Sequence, residues 1–245
     1  MRLTLSHINK HYGGKEILRD CSYAFSDAGT YVLMGGNGCG KSTLLRIMAL
    51  LEEPDSGTVA FLAGGKVLAP DPTIGERHLH EQHDKGSSLD AGRLLTPDLA
   101  LRRRITLVLP RIGLFSTSVW KNVAYGLSLR GQKGVAADEK IARALAFVGL
   151  EKKRDQHALT LSSGESQRLG IARALALEPE ILFLDEPTAS IDEENTSIIE
   201  SIIKTMKQEG RSMVIMTTHD RSQAERLADR LLLLTQGALQ DVRQA

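Results

Sequence analysis

Apolar and polar residues alternate from Leu3 to Ile8, the period of a half-buried strand, and Gly13-Gly14 then supplies a hairpin turn. A second strand is expected through Ile17 to Phe25. Tyr31-Val32-Leu33-Met34 is a short apolar strand that runs at once into glycines and then a helical stretch, Ser42 to Leu51. Gly57 to Leu62 closes this β-rich opening. From Ala63 to Arg104 no period holds, and Gly, Pro, Asp, His and Arg dominate, so a long irregular insertion is expected. The pattern returns with strand Ile105–Leu109, followed by helices near Val119–Leu129, Asp138–Val148 and Ser163–Ala176. Strand Ile181–Leu184, helix Asn195–Gln208, strand Ser212–Thr217, helix Arg221–Ala228 and strand Leu231–Leu234 complete the chain. Their alternation predicts an α/β fold with a mostly parallel sheet and helical crossovers.

Composition narrows the classes. With 245 residues, 42% hydrophobic and 25% charged, the chain can bury a core of ordinary globular texture. A net charge of +1 gives no electrostatic case for nucleic acid. Cys21 and Cys39 cannot build a disulfide framework, which favours a reducing compartment. No apolar run approaches the roughly 18 residues that span a bilayer, and the opening residues read as a strand rather than a leader. No long extension follows Gln240, so no appended regulatory domain is expected.

Three segments carry chemistry. Gly35-Gly36-Asn37-Gly38-Cys39-Gly40-Lys41-Ser42 fits the phosphate-binding loop G-x-x-x-x-G-K-[ST]. Glycines let successive backbone N–H groups curl around phosphate oxygens, and a helix start adds positive potential. Lys41 reaches the β and γ phosphates of ATP, and Ser42 is placed to bind Mg²⁺. Next, the apolar run Ile181–Leu184 ends in Asp185-Glu186, delivering two acids to a strand's C-terminal end, where open α/β sheets bind ligands. Asp185 is a metal candidate and Glu186 a general base; a strand that merely exits into solvent on two acids would read the same. Finally, Ser162 and Glu165 stand in capping-box spacing, so a helix should open just after Ser162 with free N–H groups for an anion. An ordinary capped helix is the plainer alternative. The run His78-Leu79-His80-Glu81-Gln82-His83 has no cysteine beside it and reads as a solvated loop rather than a metal site.

Together these segments resemble the ATP-binding-cassette superfamily, in particular the nucleotide-binding subunit of a transporter. Leu161-Ser162-Ser163-Gly164-Glu165 is similar to the family signature L-S-G-G-[QE], and the resemblance spans nearly the whole chain outside Ala63–Arg104. It implies a P-loop NTPase core with an N-terminal antiparallel β subdomain and a helical signature subdomain. The parts would be a β-rich region and phosphate loop over 1–62, the insertion over 63–104, a helical subdomain over 110–178 and the remaining core over 179–245. It implies ATP and Mg²⁺ as ligands. Tyr12 would stack on adenine, and Gly35 to Ser42 with Thr43 would hold the phosphates. Ser162, Ser163, Gly164 and Glu165 would cover the nucleotide from a second copy, Asp192 would lie in the D-loop that crosses the dimer interface, and His219 would contact the γ-phosphate beside Glu186. Implied partners are integral-membrane permease subunits, a second cassette subunit and an extracytoplasmic solute-binding protein, with the chain peripheral on the cytoplasmic face of the membrane. The segment Leu114 to Gly126 is closest to importers of inorganic oxyanions such as phosphate or tungstate. A non-transport cassette protein and a weakly hydrolysing ATP switch are the competing readings.

Two positions depart from the family pattern. Where the family has a glutamine after strand Ile105–Leu109, this chain has Pro110, with neither a side-chain acceptor nor a backbone donor. The first signature glycine is Ser163. Neither touches the phosphate loop; both bear on turnover.

Overall fold

A computed structural model describes residues 1–26, 28–63, 93–95, 97–210 and 212–242. Strands β1 (Arg2–Tyr12) and β2 (Lys15–Phe25) form the expected hairpin, with Tyr12 opposite Lys15 and Gly13 and Gly14 both at positive φ. A two-residue loop needs that conformation to match the strands' twist. β3 (Thr30–Met34) leads into α1 (Lys41–Met48), and β4 (Ser56–Ala63) returns to pair with β1.

Within the stretch where no period was visible, Arg93–Leu95 form β5 against β4 and Leu99–Arg102 form a short helix, α2, capped by Asp98. Strand β5 is three residues long and is held by its neighbour's backbone, so side-chain alternation had no room to show. The histidines at 78, 80 and 83 lie outside the described residues.

The chain continues through β6 (Ile105–Val108), α3 (Val119–Leu129), α4 (Val135–Phe147) and α5 (Ser163–Leu175). Then follow β7 (Ile181–Leu184), α6 (Glu193–Glu209), β8 (Met213–Thr217), α7 (Arg221–Leu227), β9 (Arg230–Thr235) and β10 (Ala238–Asp241). Helix α4 begins three residues before the expected Asp138, and β10 was not anticipated. Its residues are only partly buried, and it forms as the antiparallel return of β9.

Strands β2-β1-β4-β5 make an antiparallel sheet, and β10-β9-β3-β8-β7-β6 a second sheet that is parallel except for β10. The parallel sheet is covered on both faces, as its continuous apolar strands require. Alternate side chains of one strand enter different cores. Leu182 and Leu184 of β7 and Val214 and Met216 of β8 pack with helices α3, α4, α5 and α6. Ile181 and Phe183, with Met213 and Ile215, face α1 and the antiparallel sheet. The α/β class, the mostly parallel sheet and the N-terminal antiparallel sheet are therefore as the sequence led us to expect.

Candidate active site

The phosphate loop connects β3 to α1. Gly40 caps α1 at φ 107, a left-handed conformation, and no side chain takes up the helix's first N–H groups. A Cβ here would meet Ile17 Cγ2 at 2.7 Å, so the residue must be glycine for two reasons. Lys41 is buried, and its ammonium donates to the carbonyls of Gly35 at 2.9 Å and Gly36 at 3.2 Å. An ammonium has three donors, so one remains for a phosphate after these two bonds. The Ser42 hydroxyl donates to Asp185 Oδ1 at 3.0 Å.

Both acids emerge at the end of β7, whose four residues are wholly buried. Asp185 is 2% exposed, and its Oδ1 also accepts from Thr217 Oγ1 at 2.8 Å. Thr217 Oγ1 in turn accepts the Glu186 N–H at 2.9 Å. One hydroxyl thus orients both acids. Thr217 was not identified from sequence because its only signal is a polar residue ending an apolar strand, which gains meaning once β8 lies beside β7 with Met216 opposite Leu184. Glu186 sits at φ 45, a conformation costing an L-residue about 1–3 kcal/mol and typical of functional turns. His219 Nδ1 lies 3.8 Å from Glu186 Oε2.

A cavity of about 200 Å³ joins Tyr12, Asn37, Lys41, Ser42, Thr43 and Glu186. Residues from β1, the phosphate loop, α1 and the β7 turn therefore converge on one cavity. The Tyr12 hydroxyl is hydrogen-bonded to Glu52, Arg46 Nε donates to Glu52 at 3.1 Å, and Arg46 also reaches Thr43 Oγ1 at 3.3 Å. Burial pushes the Glu52 carboxyl up, but the hydrogen bonds from Tyr12 and Arg46 outweigh it and hold it below the ordinary range. Arg46 and Glu52 were not singled out in sequence, since the pairing of residues 46 and 52 with Tyr12 is non-local. Tyr12 remains 44% exposed, with Lys10 Nζ 5.5 Å from its ring centroid. Cys39 is half-buried in the loop beside these residues.

Residues 162–165 are not part of this cavity. They open α5 with the expected capping box: Ser162 Oγ accepts from Glu165 N at 3.2 Å, and Glu165 Oε2 accepts from Ser162 N at 3.1 Å. Because Ser162 Oγ is an acceptor in that bond, its own proton stays available to an anion. Ser162 and Ser163 are exposed and Gly164 is buried. The reason for glycine at 164 is Asn195, whose Cγ would lie 2.2 Å from a Cβ there. Asn195 also donates to Asp192 through its backbone at 2.8 Å and its side chain at 3.0 Å, so Asp192 caps α6 directly beside the start of α5. The Asn195 N–H holds the Asp192 carboxyl below its usual range. Asn195 carried no sequence signal.

A divalent cation fits Ser42 and Asp185: both supply oxygen, the donor Mg²⁺ prefers, and they stand within hydrogen-bond reach of each other. Among the described residues no group of three or more His, Cys, Asp or Glu could hold a metal, so phosphate oxygens and water would complete the shell. Pro110 is exposed in the bend after β6. Beside it a cavity of about 230 Å³ is lined by Leu109, Arg111, Ile112, Tyr125 and Arg173.

Comparison with known proteins gives the family. The ABC transporter family profile matches residues 18–189. The phosphate import ATP-binding protein PstB 2 of Natronomonas pharaonis is 35% identical over 244 residues, covering 96% of this chain and 77% of that protein. The tungstate uptake system ATP-binding protein TupC of Peptoclostridium acidaminophilum is 32% identical over 237 residues, 97% of this chain and 96% of its own. Among solved structures, cbiO1 from Clostridium perfringens, part of the ABC transporter complex cbiONQ, superposes with a TM-score of 0.75 at 25% identity, covering 97% of this chain and 86% of that one. Fold and site thus define a P-loop ATPase. The chain belongs to the ABC transporter family, as an ATP-binding subunit whose ATP hydrolysis is coupled to transport.

Proposed function

We propose that this chain energises an importer of an inorganic oxyanion, working as a head-to-tail pair. Each ATP would lie between Lys41 of one copy and Ser162, Ser163, Gly164 and Glu165 of the other. The observation that carries this reading is the separation, within one chain, of two helix starts suited to an anion. Lys41, Ser42 and Glu186 share a cavity, whereas the start of α5 lies outside it with Ser162 and Ser163 exposed. Asp192, packed through Asn195 against Gly164, would cross the same interface.

The chemistry follows from the cis residues. Tyr12 stacks on the base, Gly35 to Thr43 hold the phosphates, and Ser42 and Asp185 would hold Mg²⁺, whose charge when bound neutralises phosphate oxygens. Glu186 takes a proton from the attacking water as its oxygen bonds to the γ-phosphorus and the bond to the ADP oxygen breaks. His219, whose Nδ1 lies 3.8 Å from Glu186 Oε2, would contact the γ-phosphate.

The substrate class rests on the relatives named for phosphate and tungstate import. No described helix is long and apolar enough to cross a membrane, so the path would belong to permease subunits. Phe115, Tyr125 and Leu129 offer an exposed apolar face for them, stiffened by Phe115 and Tyr125 at 4.4 Å and by Arg173 over Phe115 at 5.0 Å. The chain would then sit on the cytoplasmic side, with an extracytoplasmic solute-binding protein as a further partner and no nucleic acid.

Glu186→Gln tests the shared site. The amide keeps the shape but cannot take a proton, so turnover should stop while ATP stays bound. Size-exclusion chromatography in Mg-ATP should show the variant as a dimer. A strict monomer at high protein and ATP concentration would reject the shared site.

A further inference from the structure

The turn after β7 carries Glu186, and the turn after β8 carries His219. Their direct contact is a half-exposed pair at 3.8 Å, too long to fix either side chain. A second link joins the two turns and is partly shielded from solvent. Thr188 lies two residues past Glu186, and its Oγ1 is 3.0 Å from Gln223 Nε2 and 3.1 Å from Gln223 Oε1. The amide donates to the hydroxyl and its oxygen can accept the hydroxyl's proton. Gln223 belongs to α7, which starts directly after His219-Asp220, and its backbone N–H donates to the Asp220 cap at 3.2 Å. The same Nε2 donates to Glu200 Oε1 of α6 at 3.3 Å. Arg226 closes the chain with two bonds to Glu200, Nε to Oε2 at 3.0 Å and Nη2 to Oε1 at 2.6 Å.

Gln223 is 1% exposed and Glu200 6%. Aliphatic side chains would pack this junction between α6 and α7 without the cost of burying an amide and a carboxylate. Hydrogen bonds add direction, which dispersion contacts lack. Burial pushes the Glu200 carboxyl up, but Arg226 and Gln223 hold it below the ordinary range, so it stays an ionised acceptor. Gln223 is held from this anchor and bonds Thr188 through the same amide.

We infer that Gln223, anchored by Glu200, is a positioning residue that keeps the Glu186 turn and the His219 turn in catalytic register. The inference rests on the reading of Glu186 as the base. Because Gln223 bonds the Thr188 hydroxyl of that turn and not the phosphate loop, it should act on kcat and leave ATP binding alone.

Steady-state ATPase of the full chain tests this with Thr188→Val, Gln223→Leu, their double variant and Glu186→Gln. Each single substitution should lower kcat about tenfold with KM for ATP within about twofold, the size expected of a misplaced catalytic group. The double variant should lose no more than the worse single one, since both cut the same link. Thr188→Val, at a half-buried site, should keep its melting temperature, which separates positioning from folding. If Gln223→Leu fails to fold, Thr188→Val alone decides the question. Unchanged kcat in Thr188→Val, additive losses in the double variant, or a rise in KM alone would overturn the inference, even with Glu186→Gln inert. Full turnover by Glu186→Gln would instead reject the base assignment, and the inference with it.

Discussion

The Ser42 hydroxyl and the Asp185 carboxylate, 143 positions apart in sequence, meet at 3.0 Å beneath the phosphate loop. Asp185 receives Thr217 on the same oxygen, so its geometry survives loss of the serine. Ser42→Ala should therefore leave the fold intact and remove one metal ligand. The expected result is an about tenfold or greater increase in the Mg²⁺ concentration needed for half-maximal ATPase, the usual range for a weakened metal site. An unaltered Mg²⁺ titration rejects the assignment of Ser42.

Lys41→Ala removes a buried ammonium that holds the loop's own carbonyls and is placed to reach phosphate. A charge-assisted contact of this kind is worth about 1.5–3 kcal/mol. Titration with a fluorescent ATP analogue should show affinity falling by that amount. Equal affinity in the variant would remove Lys41 from the site.

Pro110 leaves the family's glutamine position without an acceptor for the metal or the water. If affinity resides in the phosphate loop and Tyr12, as proposed, the chain should bind ATP normally and turn it over slowly. Pro110→Gln should raise kcat, by about fivefold or more for 1–3 kcal/mol of positioning, with ATP affinity within about twofold. If Pro110 instead stiffens the joint to the helical region, only permease-stimulated ATPase will change. Kinetics of both proteins with and without the permease decides, and an unchanged basal kcat goes against the positioning account.

The signature turn should carry a pH-dependent share of stability. A hydrogen bond from Lys153, opposed by burial and aided by the Ser162 N–H, holds the Glu165 carboxyl below its ordinary value of 4.5. A carboxyl depressed on folding stabilises the protein above its unfolded value and loses that contribution as pH falls through the folded one. Glu165→Ala should cost about 1–2 kcal/mol at neutral pH. Thermal melts should show the gap between the two proteins narrowing below about pH 4.5. A gap that does not vary with pH assigns the loss to packing.

Much of this site was legible in the sequence because its parts are local. Gly35 to Ser42 is a contiguous motif, Ser162 and Glu165 are three residues apart, and Asp185-Glu186 follow an apolar run. What stayed hidden is non-local. Thr217 acquires its role from the order of β7 and β8, Asn195 from the approach of α6 to Gly164, and Gln223 from the packing of α7 on Thr188. Strands β5 and β10 were missed for a related cause: each exists through backbone pairing with a neighbour rather than through its own alternation.

The fit of Gly40 against Ile17 makes the two sheets one instrument. Tyr12 is carried by the hairpin of β1 and β2, while Ile17, two residues beyond Tyr12's partner Lys15, rests on the start of α1 with no room for a methyl group between them. The hairpin is in effect the fixed jaw of a calliper whose other jaw is Lys41 and Ser42. The placing of Tyr12 relative to Lys41 is then tied to how the hairpin seats on the start of α1. Gly40→Ala would both strain a residue at φ 107 and crowd Ile17, so titration with a fluorescent ATP analogue should show weaker binding, and unchanged affinity would deny this contact a role in shaping the site.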